Sequence, residues 1–221
     1  YAAGIKKRWP LDYNRESETI QEAMVVDLLN QMLPPDTIIT TGVGNHQLLA
    51  AQYIKMNKPR RFITSGSFGT MGFGMPAAIG AHYANPDTTI LVIDGDGSFR
   101  MNMGEVHTIG QYGLPVKILL LNNHSDGMVR NLEDAVYGGR HSASERAGDV
   151  DFAAMAALCH FRFARRVSSR SALAEGLDAW LAARGPALLE VVTDREEALY
   201  PVVRPGASYA QMELGPYIRQ R

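Results

Sequence analysis

The sequence predicts an α/β fold, a doubly wound, six-stranded parallel sheet with helices on both faces. Three observations predict it. Six short β-branched runs alternate with segments of helical apolar spacing along the whole chain. The runs at 90–93 and 116–121 are apolar on both faces apart from Lys117, as suits strands covered from above and below. Strands joined by crossover helices pair in parallel and bury one sheet between two helical layers.

In chain order, residues 1–19 are polar with a Trp9-Pro10-Leu11 patch and are expected to be an extended arm or linker. A helix is expected over 20–33, a strand over 37–41, a helix over 47–53 and a second strand over 61–64. A helix over 76–84 leads to a third strand at 89–94, and a helix over 103–112 to a fourth at 116–121. Helices over 152–159 and 171–183 flank a fifth strand at 163–167, and 187–192 is the sixth. Residues 194–221 carry Pro201, Pro205, Gly206 and Pro216 with little periodicity. The division is therefore an arm at 1–19, one domain at 20–193 and a second arm at 194–221. The arms either lie on a neighbouring domain or subunit, or are plain terminal segments. There is no internal repeat and no low-complexity tract.

Composition removes several classes of function. The chain has 221 residues, 46% of them apolar, enough for a sizeable core. Its 22 basic and 23 acidic residues leave a net charge of −1, without the excess of Lys and Arg that nucleic acid or an anionic membrane requires. The pairs Arg60-Arg61 and Arg165-Arg166 are too short and too far apart for such a footprint. No apolar run approaches the roughly 20 residues of a membrane span. The single Cys159 cannot form an internal disulfide and reads as a small buried hydrophobe. The first 20 residues contain no apolar stretch of the signal-peptide kind, so the expected location is the cytoplasm or an organelle matrix rather than a secreted one. The chain starts at Tyr1 rather than Met, and is expected to be a piece of something longer or a processed product.

In an open parallel sheet, ligands bind where strands end and helices begin, because backbone N–H groups are unpaired there. Four such turns are unusual. Gly42-Val43-Gly44-Asn45-His46-Gln47 follows the first strand, and its glycines allow close approach of a ligand. Residues 66–74, after the second, hold four glycines around Met71, which has no helical neighbour to pack on and so meets a ligand or partner domain, core filler being the bland alternative. Asp94-Gly95-Asp96-Gly97-Ser98-Phe99 follows the third, and Asn122-Asn123-His124-Ser125-Asp126-Gly127 the fourth. A carboxylate at Asp96 would repel a bare phosphate, so an anion site there needs a bridging cation. Asp96 and Asn123 stand one strand–helix–strand unit apart. On adjacent strands about 4.8 Å apart their side chains converge. The Asp96 carboxylate, the Asn123 amide oxygen, the Ser125 carbonyl, two phosphate oxygens and a water make an octahedral magnesium shell shared with a diphosphate.

Gly-Asp-Gly ending one strand, followed at this distance by Asn-Asn ending the next, is the thiamine-diphosphate fingerprint. With the stretches 59–66, 69–80, 94–99 and 115–123 and Gly127-Met128-Val129, the chain resembles the large catalytic subunit of the acetolactate (acetohydroxyacid) synthase family. The similarity runs from about residue 5 to about 206 and covers the last of that family's three domains. The resemblance implies thiamine diphosphate and Mg2+ as cofactors, with Asp96, Asn123 and the Ser125 carbonyl on the metal. Val43, Gly44, Asn45, His46, Gly97 and Ser98 would surround the diphosphate, with backbone near Gly127. Gly69, Met71 and Met128 would contact the aminopyrimidine, and Gly95, Asp126 and Val129 complete the cofactor-contacting set. Met71 would bend the cofactor so that its amino group faces the reactive carbon, a matter of proximity rather than acid–base chemistry.

The same resemblance implies pyruvate and a second 2-oxo acid as substrates, and a homodimer or higher oligomer. It also implies a pyrimidine-binding domain, elsewhere in the protein or on another chain, that supplies an activating glutamate. FAD, bound mostly by that family's middle domain, stays open for the complete enzyme. Two positions depart from the pattern: Asn45 stands for the usual Gln, and Leu132 for a Trp that helps select the second substrate. Other readings are therefore another thiamine-dependent 2-oxo-acid decarboxylase or carboligase split over two chains, or a cofactor-binding module inactive without its partner. His124, beside Asn123, is a candidate to touch substrate or a proton, with a solvated loop histidine as the alternative. Glu105 and His107 read as helix-surface residues, since a helix leaving the site carries them away at about 1.5 Å per residue. Residues 137–149 are either a flap over the cofactor or an ordinary surface loop.

Overall fold

The computed structural model describes residues 2–148, 150–204 and 206–220; Tyr1 and Pro205, named above, and Asp149 and Arg221, which end ranges given above, lie outside the described residues. The elements run α1 (Ala2–Arg8), α2 (Glu22–Met32), β1 (Ile38–Thr41), α3 (Asn45–Tyr53), β2 (Phe62–Ile63), α4 (Gly74–Ala84) and β3 (Ile90–Gly95). Then come α5 (Asp96–Met101), α6 (Gly104–Gln111), β4 (Val116–Asn122), α7 (Gly127–Tyr137), α8 (Phe152–Leu158), β5 (Phe163–Val167), α9 (Arg170–Ala182) and β6 (Ala187–Val192). The six strands form one sheet in the order β2-β1-β3-β4-β6-β5, every pair parallel. This is the doubly wound α/β architecture expected from the alternation of strand and helix periods.

Each face of the sheet carries its own core. On one, Val25, Val26 and Leu29 of α2, Leu49 of α3 and Leu173, Leu177 and Trp180 of α9 pack on Ile39, Leu91, Leu119 and Leu189. On the other, Met75 of α4, Val106 and Ile109 of α6, and Phe152 of α8 pack on Ile90, Val92, Ile118 and Leu120. Lys117, the one charge within these central runs, is buried with its ammonium donating to the carbonyls of Trp180 at 3.1 Å and Ala183 at 2.7 Å. Both carbonyls lie at the C-terminal end of α9, where a cation is favoured.

Three elements depart from expectation. Residues 2–8 are helical, with Lys6, Lys7 and Arg8 in the last turn, where they complement the helix dipole. Residues 96–101, read as part of a turn, form α5. α7 escaped the periodicity argument because its pattern is inverted: Arg130 and Glu133 are buried while Leu132 and Val136 are exposed. Both terminal segments pack on this chain itself. The Glu197 carboxylate accepts from the backbone N–H groups of Glu22 and Ala23 (3.1 Å for Ala23), capping α2, whose own N-cap Gln21 makes no side-chain bond. Thr19 donates to Asp194 at 2.7 Å, Arg170 donates to the carbonyls of Arg15 and Ser17, and Ile218 is buried.

Candidate functional site

The chain turns back between β1 and β3: from β1 it moves outward to β2, then crosses to β3 on the other side. Ligands of open α/β sheets bind at such a switch point, outside the carboxyl ends of the strands. Here α3 follows β1, α5 follows β3 and α7 follows β4, on three adjacent strands. Their N-cap residues Gly44, Gly95 and Asp126 make no side-chain capping bond. Three sets of helix-start N–H groups thus surround one space, an arrangement that favours an anion.

A cavity of about 320 Å³ occupies that space. It is lined by every residue expected to contact a cofactor: Val43, Gly44, Asn45, His46, Gly69, Met71, Gly95, Asp96, Gly97, Ser98, Asn123, Ser125, Asp126, Gly127, Met128 and Val129. Met101 and Leu121 also line it, as does Glu22, which sequence reasoning passed over. His124 does not line it; it sits in the turn below at φ +55°, its N–H donating to Asn122 Oδ1 at 3.1 Å. Glu105 is half-buried on α6 and His107 is exposed there, both outside the cavity.

Strand register brings together the two residues expected to offer oxygen to a metal. Gly95 pairs with Leu121, so Asp96 and Asn123 emerge from neighbouring strand ends onto one cavity, while Asn122 points away to donate to Glu190 at 2.7 Å. Asn123 is tightly held. Its Nδ2 donates to Glu22 Oε1 at 2.9 Å, and its Oδ1 accepts from Ser125 N at 3.0 Å. An amide oxygen has two lone pairs, so one stays available to a cation. Ser98 Oγ accepts from Val43 N at 3.2 Å and Gly72 N at 2.9 Å, tying the glycine-rich loops to α5. At Gly127 a Cβ would lie 2.5 Å from Asn45 Nδ2 and 3.0 Å from Asn123 Nδ2, so only glycine lets α7 start this close.

Burial governs the protonation of the site. His46 is driven down to about 3 by desolvation and is neutral; its Nε2 lies 3.4 Å from Asp94 Oδ1. Desolvation pushes Asp94 up to about 7, against the hydrogen bonds from Ser98 and Gly95. Glu22 rises well above the carboxylate range through burial, then through the charges of Glu197 and Asp96. Asp96 is raised by burial, a shift that Arg146 opposes. Among the described residues, the buried side-chain atoms without a hydrogen-bond partner include Glu22 Oε2, His46 Nε2 and Asp94 Oδ2, with others elsewhere in the chain. Glu22 and His46 line the cavity, so their open positions are available to a ligand there. The loop after α7 is clipped to the Asn123–Gly127 turn: Asp126 N donates to the Ser144 carbonyl at 2.8 Å, and Arg146 N to that of His124 at 3.0 Å.

Glu22 went unread because an acid in the first turn of an amphipathic helix looks like ordinary dipole matching. The signal that could have found it is position, since its helix immediately precedes the strand carrying the first glycine turn.

Comparison with known proteins agrees with this geometry. A family model described as the thiamine pyrophosphate enzyme, C-terminal TPP binding domain, matches residues 42–191. The chain is 38% identical over 212 residues to acetolactate synthase isozyme 2 large subunit of Escherichia coli (strain K12), covering 96% of this chain and 38% of that protein. It is 43% identical over 208 residues to acetolactate synthase large subunit of Parasynechococcus marenigrum (94% of this chain, 33% of that protein). Against chloroplastic acetolactate synthase of Arabidopsis thaliana it is 39% identical over 211 residues (92% and 31%). The chain spans about a third of the length of these relatives. No helix among the described residues is long and apolar enough to cross a membrane. The chain belongs to the thiamine pyrophosphate enzyme family and carries that family's C-terminal TPP-binding domain.

Proposed function

We propose that the chain is the thiamine-diphosphate- and magnesium-binding part of an acetolactate-synthase-like carboligase, which decarboxylates pyruvate and ligates the remaining two carbons to a second 2-oxo acid. The observation that carries this reading is the convergence of three uncapped helix starts with Asp96 and Asn123 on one cavity. The donor set is hard oxygen, as magnesium demands: the Asp96 carboxylate, the Asn123 amide and the Ser125 carbonyl would hold the ion. N–H groups at the starts of α3, α5 and α7 would take the diphosphate. When bound, thiamine diphosphate would supply a nucleophilic carbanion for addition to a 2-oxo acid and an electron sink for its decarboxylation.

The chain's own residues bind and orient. Met71, half-buried on the cavity wall between Gly69 (φ +61°) and Gly72 (φ +80°), would be the apolar wedge that bends the cofactor so that its amino group faces the reactive carbon. Neutral His46 would line the diphosphate end without adding charge. His124, in the turn outside the cavity lining, is kept as a candidate for substrate contact. Met101, Met128 and Val129 are exposed by 60%, 37% and 48% on the rim, which favours a cover from elsewhere. That cover would be the pyrimidine-binding domain, with its activating glutamate, in a homodimer or higher assembly; FAD would belong to the complete enzyme. The functional core would be 20–193 with terminal arms at 1–19 and 194–221, in a bacterial cytoplasm or organelle matrix.

The test is product analysis of the intact protein with pyruvate, Mg2+ and thiamine diphosphate. Acetolactate is the expected product. Acetaldehyde without acetolactate would point instead to a decarboxylase, the reading that exposed Leu132, in place of a Trp, keeps open.

A further inference from the structure

We propose that Arg146 competes with the divalent cation for Asp96, acting as a built-in counter-ion that cofactor loading must displace. The inference rests on the cofactor reading above. Arg146 Nε donates to Asp96 Oδ2 at 2.9 Å, and its Nη2 pairs with Asp126 Oδ1. One guanidinium thus joins the carboxylate expected to hold the metal to the N-cap residue of α7. The Asp96 side chain is 3% exposed and that of Arg146 is 19% exposed, so the pair is largely shielded from water.

The backbone places Arg146 there. Its N–H donates to the His124 carbonyl, Ser125 Oγ donates to the Ser144 carbonyl at 2.8 Å, and Ser125 and Glu145 form an antiparallel bridge. The loop is therefore anchored to the same turn that carries Asn123 and Ser125. The guanidinium lies over Gly97, where a Cβ would come within 2.6 Å of Nη2. This sets a cation against the first turn of α5, the end whose partial charge is positive, and the two carboxylates offset that cost. A diphosphate reaching the Gly97 N–H needs the same ground. A metal on Asp96 needs the same carboxylate charge.

The experiment is titration calorimetry of thiamine diphosphate at saturating Mg2+, on the intact protein and on Arg146→Met. The variant is expected to bind roughly tenfold more tightly, the loss of one charge-assisted pair no longer opposing entry. Its cofactor-free thermal midpoint is expected to fall, because Asp96 and Asp126 lose their shared counter-ion. Arg146→Lys, which keeps the charge without the fork, is expected between the two and decides the matter if the methionine variant does not fold. Unchanged or weaker binding in the variants overturns the proposal, and weaker binding makes the arginine a diphosphate ligand instead. Wild-type protein that binds no thiamine diphosphate overturns the proposed function itself.

Discussion

Asn123 donates its amide Nδ2 to Glu22 Oε1 at 2.9 Å, joining residues 101 positions apart at the edge of the cavity. The bond fixes which end of the amide faces inward, since the nitrogen is committed to the carboxyl and the oxygen is left for Ser125 N and for a cation. Glu22 thus acts as a positioning residue. Glu22→Ala is expected to weaken Mg2+-dependent thiamine diphosphate binding about tenfold, while Glu22→Gln, whose oxygen still accepts from Asn123, keeps most of it. Glu22→Met, which fills similar space without an oxygen acceptor, separates this role from mere packing: calorimetry is expected to find it as weak as Glu22→Ala, and binding as strong as that of Glu22→Gln would make the role one of packing.

Asp96 is the one carboxylate among the expected metal ligands. Asp96→Ala is expected to abolish magnesium-dependent cofactor binding, with far-ultraviolet circular dichroism unchanged because the side chain belongs to neither core cluster. Unaltered cofactor affinity would falsify the metal assignment.

Met71 is assigned to shaping the cofactor rather than anchoring it. Met71→Ala is expected to lower kcat on the order of 10- to 100-fold through loss of near-attack geometry, with the Kd for thiamine diphosphate within about threefold of wild type. A large loss of affinity with normal turnover of the bound fraction would contradict that division of roles.

Glu197 links acidity to stability. Burial lifts its carboxyl from the ordinary 4.5 to about 7, outweighing the two backbone N–H bonds that favour its charged form. Between those values the folded chain keeps a proton that the unfolded chain has shed. Its contribution to stability is therefore complete below about pH 4.5 and is lost as pH rises through about 7. Glu197→Gln is expected to flatten the stability–pH curve across that window, measured by denaturant unfolding at several pH values; parallel curves for the two proteins would exclude the effect.

Trp180 is fully buried on α9, its Nε1 donating to the Ala187 carbonyl at 3.3 Å. Trp180→Ala is expected to cost about 3–5 kcal/mol of unfolding free energy. A loss under 1 kcal/mol would mean that the core collapses into the gap.

The sequence by itself determined the sheet, its parallel pairing and the turns where chemistry gathers. Strand and helix periods are local, and in this architecture strand ends share one edge of the sheet, so the meeting of Asp96 and Asn123 at one cavity was legible from their spacing. Tertiary structure alone decided what those residues touch. The Glu22–Asn123 bond, the Arg146–Asp96 pair and the capping of α2 by Glu197 join positions 101, 50 and about 175 residues apart. It also turned the polar side of α7 inward and laid both terminal segments back on the domain. Periodicity reports which residues share a face, whereas such contacts depend on how the layers stack, and buried charges find partners only once the packing has removed water.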